Sequence, residues 1–193
     1  PVVAQKSVIN ITHEAADVLI DVNPGNAPTM LSFEYSVDAA FTTPITATIT
    51  PGVVNGGAAT SASVSMSGLS ASTNYYFRIK GVNESGTTVS PTGSFTTLAP
   101  PATLPIARVE AATNVTSYSA TLNGVAQAGN AATKVRFMYG TDPEFKVNTS
   151  NVAASTFQLS GNTATNVNLN VSFLDGGKKY YYKVVVINPT ATT

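Results

Sequence analysis

The sequence predicts an all-β protein built as two tandem β-sandwiches. Apolar residues alternate with a period of two, turn residues recur at short intervals, and segments of the first half reappear in order in the second. No stretch shows the three-to-four-residue apolar spacing of an amphipathic helix. Short alternating strands with frequent turns, in halves of about 95 residues, are typical of a β-sandwich.

An internal repeat divides the chain into two halves. The segment GLSASTNYYFRIKGVNESG (68–86) matches FLDGGKKYYYKVVVINPTA (173–191). A second segment, MLSFEYSVDAAF (30–41), matches KVRFMYGTDPEF (134–145). Two separated matches that occur in the same order at nearly the same offset indicate a tandem duplication.

A proline-rich segment, LAPPATLPIA (98–107), lies between the halves. Proline fixes φ and removes a backbone donor, so this segment is predicted to be extended and rather stiff. We therefore predict a first sandwich over 1–98, a linker over 99–105 and a second sandwich over 106–193.

Strands are predicted from period-two alternation within each half. In the first half they fall at 7–12, 16–22, 30–37, 60–66, 74–83 and 93–97. The strand at 30–37 is expected to place Leu31, Phe33, Tyr35 and Val37 on one face. The inward residues expected in the second half are Val109, Ala120, Leu122, Val135, Phe137, Tyr139, Val167, Leu169, Val171, Tyr180, Tyr182, Val184 and Val186.

The composition excludes several classes of protein. Only 10% of residues are charged and the net charge is zero, with the basic residues scattered, so a nucleic-acid partner is not expected. The chain has no cysteine, which excludes disulfides and thiolate metal sites, and no apolar run long enough to span a membrane. A surface of Ser, Thr, Asn, Gly and Ala favours an extracellular or cell-surface location. Because the chain starts at Pro1 without a signal peptide, we expect it to derive from a longer one.

The segment LSASTNYYFRIKGVN (69–83) resembles the E–F corner and strand F of fibronectin type III domains, where Leu, a turn, Thr-x-Tyr, alternating apolar residues and Asn follow one another. Residues 113–145 resemble strands A to C of such repeats in bacterial surface proteins and polysaccharide-degrading enzymes. The resemblance implies an immunoglobulin-like sandwich. It also implies that Tyr75 and Tyr180 are tyrosine-corner residues, whose hydroxyls bond to the backbone of the preceding corner.

The sequence departs from this family in two ways. Tryptophan is absent, so the layer that strand B fills must be built from smaller residues, namely Val18, Ile20, Ala120 and Leu122. The last strand of the fold, strand G, has a candidate at 93–97 in the first half and no counterpart in the second. The second sandwich is therefore predicted to lack strand G.

The outward face of strands C and F is the best candidate for a binding surface. Strand C is the segment at 30–37 and strand F the segment at 74–83, each with its counterpart in the second repeat. In the second repeat it presents Lys134, Arg136, Met138, Tyr181 and Lys183, and in the first it presents Tyr76 and Arg78. Basic and aromatic side chains together can bind polysaccharide by charge and stacking. The alternative, which we favour, is ordinary cross-strand pairing, such as Glu34 against Arg78.

Other candidate sites are weaker. His13 is the only histidine and lies in a predicted surface turn, where it has no second ligand for a metal. The carboxylates lie mostly in turns, so a glycosidase pair across a cleft is not expected. Asp142 could contribute to a calcium site, but its equivalent Asp38 suggests that both aspartates form turns through side-chain bonds to the backbone.

These observations favour a non-catalytic spacer that presents or extends other domains of a larger surface or secreted protein. No enzyme activity and no cofactor are predicted. The alternatives are an adhesin that binds a glycan or a protein, and a filament subunit completed by a strand from another protein.

Overall fold

The computed structural model describes residues 1–189, except for the side chains of 153 and 155–157. The chain divides into two compact units, Pro1–Pro100 and Pro101–Thr193. The described residues are organised in strands and turns, and among them no helix is long and apolar enough to cross a membrane. The predicted all-β class with two sandwiches is confirmed.

The first unit packs two antiparallel sheets face to face. Its strands are β1 (Val2–Ile9), β2 (Ala15–Asn23), β3 (Thr29–Ser36), β4 (Ile45–Ala47), β5 (Ile49–Thr50), β6 (Val53–Val54), β7 (Thr60–Ser67), β8 (Asn74–Asn83), β9 (Gly86–Val89) and β10 (Gly93–Thr96). One sheet has the order β1–β2–β7–β5. The other has the order β10–β8–β3–β4, with β6 added on β3 and β9 on β8.

The core of the first unit follows from the alternation of apolar residues. On β3 and β8 every second side chain is buried, and the rings of Phe33 and Phe77 stack with their centroids 5.4 Å apart. Val18 and Ile20 of β2 are fully buried in the same core cluster as these rings. The small aliphatic residues therefore fill the layer that the missing tryptophan would occupy.

The second unit repeats this arrangement with fewer strands. They are β11 (Ile106–Thr113), β12 (Ser119–Gln127), β13 (Thr133–Gly140), β14 (Thr149–Leu159), β15 (Thr165–Ser172) and β16 (Tyr181–Ile187). The sheet orders are β11–β12–β15 and β14–β13–β16. Most of the predicted inward residues form or contact its core, with Val135, Phe137 and Val186 fully buried.

The prediction for Val109 was wrong: this residue is 46% exposed, and Ala107 and Ala112 of β11 pack against the core instead, where the ladder with β12 is irregular after Glu110. Tyr180 is half-buried at the corner rather than in the core.

The two units differ at the strand that corresponds to strand F. In the first unit β8 pairs with β3 at one edge and with β9 and β10 at the other. Over residues 1–189, β16 pairs with β13 alone. The prediction that the second sandwich lacks strand G concerns the chain after these residues, and residues 190–193 lie outside the described part, so it stays a prediction.

Some strand predictions were wrong in position. The first strand runs over Val2–Ile9 rather than 7–12. Val37 is 62% exposed because β3 ends at Ser36, whose Oγ accepts the amide of Asp38 at 3.0 Å and so begins a turn. The strand β14 was not predicted, since its sequence, TSNVAASTFQL, does not alternate clearly.

Part of the predicted linker is attached to the second unit. The amide of Thr103 donates to the carbonyl of Gly129 at 2.7 Å, and the side-chain amide of Asn130 donates to the carbonyl of Pro101 at 3.2 Å. Asn188 adds a bond from its side-chain amide to the carbonyl of Thr103 at 3.1 Å. These contacts hold residues 101 and 103 on the second sandwich.

Candidate functional site

The predicted outward face of β13 and β16 exists in the second unit. It is defined here as the basic–aromatic face and consists of Lys134, Arg136, Met138, Tyr181 and Lys183. The antiparallel register places Met138 opposite Lys183. The ammonium of Lys183 lies 4.7 Å from the centre of the Phe145 ring, and that of Lys179 lies 5.0 Å from the Tyr181 ring. Lys183, a cation of this face, therefore already contacts an aromatic ring of the protein, and Tyr181 is contacted by the neighbouring Lys179.

In the first unit the equivalent residues are engaged with one another. Glu34 lies directly opposite Arg78 in the β3–β8 ladder and its carboxylate accepts a bond from the guanidinium. The same guanidinium lies 4.4 Å from the centre of the Phe41 ring. Tyr76, also on this face, is half-buried opposite Ser36. The predicted cross-strand pairing of Glu34 and Arg78 is confirmed.

Both predicted tyrosine corners are present. The hydroxyl of Tyr75 accepts the amide of Ser70 at 2.9 Å, and the hydroxyl of Tyr180 accepts the amide of Asp175 at 3.0 Å. Each bond ties a strand to the loop that precedes it. The implied structural role of both tyrosines is therefore confirmed by the hydrogen bonds.

A second set of stabilising hydrogen bonds comes from an asparagine at the end of β8 and from its counterpart just after β16. Asn83 donates from its side-chain amide to the carbonyl of Pro24 at 2.8 Å and to the hydroxyl of Thr29 at 3.1 Å. Asn188 donates to the carbonyl of Ala128 at 3.0 Å in the second unit. These repeat-equivalent asparagines hold the turns before β3 and β13, the strands that correspond to strand C, a role that the sequence motif alone does not reveal.

The two acidic turns are structural, as predicted. Asp38 accepts the amide of Ala40 at 2.9 Å. Asp142 accepts the amides of Glu144, Lys146 and Val147 at 3.0, 2.7 and 3.0 Å. These bonds favour the ionised carboxylate and lower its pKa: for Asp142 the backbone amides are the cause, with Glu144 foremost.

The remaining candidates also take part in local contacts. His13 lies in the bend between β1 and β2, and its Nε2 is 3.8 Å from a carboxylate oxygen of Glu14. No group of three or more His, Asp or Glu residues that could hold a metal ion occurs within the part of the chain that the structure describes.

A cleft that sequence reasoning missed lies at the E–F corner of the second unit. It has a volume of about 530 Å³ and is defined here as the corner cleft. Its lining residues are mostly polar: Tyr139, Gly140, Thr141, Asn148, Ser150, Ser172, Phe173, Leu174, Asp175, Lys178 and Tyr180.

Phe173 is the unusual residue of the corner cleft. Its side chain is 97% exposed, and its backbone lies in the left-handed region with φ of +59°. The repeat alignment places Gly68 at this position in the first unit, where φ is +70°. The signal available in the sequence was therefore a large aromatic residue where the other repeat has glycine.

Comparison of the chain with known proteins identifies no family for it. No family model matches the chain, and no curated protein matches it. Two fragments of the sensor domain of the anti-sigma factor RsgI4 from Pseudobacteroides cellulosolvens are similar in structure. The longer is 18% identical with a TM-score of 0.40, covering 53% of this chain and 93% of that fragment, and the shorter is 18% identical with a TM-score of 0.38, covering 51% and 94%.

The FN1–FN3 domains of chicken CNTN1 are also similar. They are 16% identical, with a TM-score of 0.41, and the match covers 96% of this chain and 60% of that fragment. At TM-scores this low, these similarities support no statement about function.

Proposed function

We propose that this chain is a non-catalytic structural module of a larger extracellular protein. The observation that carries the proposal is the repeated use of equivalent polar residues as braces. Asn83 and Asn188 hold the turn before strand C, Tyr75 and Tyr180 hold the E–F corner, and the aspartates hold the turn after strand C. Because both repeats retain these hydrogen bonds, the same loops are fixed in both units.

The charged side chains support the same proposal. The carboxylates of Asp38 and Asp142 accept several backbone amides, and Glu34 is paired with Arg78 across two strands. Groups held in this way stabilise turns and sheet register. Their partners would be the other domains of the parent protein. The low charged fraction, 10%, supports an extracellular or cell-surface location.

Stretching single molecules from both termini tests this function. A structural module of two sandwiches should extend in two separate cooperative unfolding events, since each unit has its own core. Phe33→Ala should lower the force of one event and Phe137→Ala that of the other. Gradual extension at low force, without discrete events, would contradict the proposal.

A second candidate function is completion of the second sandwich by a strand from another protein. In the first unit the ring of Phe95 on β10 stacks on Tyr75, with centroids 5.7 Å apart, and meets Phe77 at a tilt, with centroids 6.2 Å apart; both of these partner rings are buried. The corresponding Tyr180 and Tyr182 are only half-buried. By analogy with the first repeat, the segment that we propose to complete the second sandwich beside β16 carries an inward aromatic residue.

A peptide with the sequence of residues 91–98, PTGSFTTL, tests this second candidate. Added to the chain, it should shift the amide signals of Val184 and its neighbours on β16 in NMR spectra. The matched control peptide carries the change Phe95→Asp and should not bind, because a carboxylate cannot enter the core. Equal binding of the two peptides, or no binding of either, would exclude strand completion of this kind.

A further inference from the structure

We propose that the corner cleft of the second unit is a binding subsite for a neutral carbohydrate, with Phe173 as the surface on which a sugar ring stacks. This inference goes beyond the structural role and does not depend on it. It starts from a single backbone feature. A left-handed conformation is easy for glycine and unfavourable for a bulky residue such as phenylalanine, so Phe173 at φ +59° is strained where Gly68 is not.

Packing within the protein does not offset this strain. Two other phenylalanines, Phe41 and Phe145, also have positive φ, of 53° and 58°. Their rings contact cations: the Arg78 guanidinium lies 4.4 Å from the first and the Lys183 ammonium 4.7 Å from the second. The side chain of Phe173, by contrast, is 97% exposed. Strain that the fold does not use is a marker of function.

The loop that carries Phe173 is held in place. The amide of Leu174 donates to the carbonyl of Tyr118 at 3.0 Å, and the amide of Asp175 donates to the hydroxyl of Tyr180 at 3.0 Å. Such bonds fix the backbone next to Phe173 before any ligand arrives. A preorganised surface loses less conformational entropy on binding.

The polar lining of the cleft matches the hydroxyl groups of a sugar. It offers the carboxylate of Asp175 as an acceptor, the ammonium of Lys178 as a donor, and the amide of Asn148 and the hydroxyls of Thr141 and Ser150 as both. The negative charge of Asp175 and the positive charge of Lys178 cancel, so the lining carries no net charge and favours a neutral ligand over an anionic one. The volume of about 530 Å³ lies within the range of small-molecule sites.

Carbohydrate fits this site better than a protein partner does. An anchor of a protein interface enters an apolar pocket from which water is excluded. The corner cleft is mostly polar and its aromatic residue stands at the rim. The C–H face of a pyranose ring packs on the negative face of an aromatic ring, while the sugar hydroxyls bond to polar groups at its edge.

The test titrates the full chain with soluble hexaoses of cellulose, xylan, mannan and chitin, and follows backbone amide signals by NMR. At least one sugar should give saturable shifts centred on residues 173–178. Phe173→Gly, which restores the residue of the first repeat, should weaken binding at least about tenfold. Because it removes strain, it should leave the melting temperature unchanged or raise it. Phe173→Tyr keeps a ring and should retain binding within a few-fold.

Ile106→Ala is the matched control, since it removes an exposed apolar side chain of the same unit that lies in neither the corner cleft nor the basic–aromatic face. It should leave the affinity for the sugar unchanged. The proposal is overturned if no hexaose binds at millimolar concentration, if a bound sugar shifts other residues, or if Phe173→Gly binds as tightly as the parent. It is also overturned if the glycine variant keeps its affinity but melts lower, because Phe173 would then be structural. Binding is measured well below the melting temperature of every variant.

Discussion

Single residues in this protein are used mainly to fix loops. Tyr75 and Asn83, two residues of one strand, each bond to a different turn of the first unit. Asp142 holds the turn after β13 through three backbone amides. The role of a single residue could be predicted from the sequence where its type has one common structural role, as for an aspartate whose side chain bonds to the backbone of a turn.

The tyrosine corner can be tested by removing one hydroxyl. Tyr75→Phe should lower the free energy of unfolding of the first unit by about 1–3 kcal/mol, because the amide of Ser70 loses its partner. Chemical denaturation measures this change. Tyr76→Phe, on the opposite face of the same strand, is the control and should have little effect. Equal effects of the two substitutions would contradict a specific role for the corner.

The turn at Asp142 predicts a pH dependence. Because the backbone amides lower the pKa of Asp142 in the folded state, its contribution to stability is present above the unfolded pKa, about 3.9, and is lost as the pH falls through the folded pKa. Asp142→Ala should therefore lower the melting temperature of the second unit at neutral pH. The difference from the parent should shrink as the pH falls below about 4. A difference that is constant with pH would refute the electrostatic part of the explanation.

At the scale of strands and sheets, two glycines allow neighbouring strands to pack closely. Gly124 of β12 lies where a Cβ atom would be 2.4 Å from a methyl group of Val184 on the facing sheet and 2.7 Å from the carbonyl oxygen of Arg108. Gly81 of β8 lies where a Cβ atom would be 2.8 Å from a methyl group of Val3. Both glycines allow neighbouring strands to approach closely. An added Cβ atom would meet a backbone atom only at Gly124, whereas at Gly81 it would meet side-chain atoms.

Alanine substitution should separate these two positions. Gly124→Ala should destabilise the second unit by about 1–3 kcal/mol, because a backbone carbonyl cannot move aside without disturbing the β11–β12 ladder. Gly81→Ala should cost less, since the Val3 side chain can move. Thermal unfolding of both variants measures the difference. A larger loss of stability for Gly81→Ala than for Gly124→Ala would contradict the explanation that the Arg108 carbonyl makes position 124 the less tolerant one.

At the scale of the whole chain, the two units have separate cores. Phe33 and Phe137 are equivalent in the repeat, and each is almost fully buried in its own cluster. The duplication therefore produced two hydrophobic cores rather than one continuous core. This separation predicts that a core defect stays within its unit.

Calorimetry can test this independence. Phe33→Ala should lower the melting transition of the first unit, and Phe137→Ala that of the second, each by about 3–5 kcal/mol of unfolding free energy. The other transition should stay in place in each case. If either substitution shifts both transitions together, the two cores are coupled and the proposed modular behaviour is wrong.

The sequence by itself determined the class of fold, the duplication and the inward faces of most strands. Alternation and repetition are local properties, and residues such as Phe33 and Val135 follow them directly. Asp38 and Asp142 were predictable for the same reason, since an aspartate bonds to amides a few residues away.

Only the tertiary structure decided which residues meet across the chain. Asn83 reaches a turn far from it in sequence, and the guanidinium of Arg78 lies over the ring of Phe41 in addition to its predicted pairing with Glu34. The corner cleft likewise needs residues from β13, β14 and the E–F corner together. Its key residue, Phe173, looks apolar and buriable in the sequence. Its left-handed backbone and its 97% exposed side chain are properties that only the structure reveals.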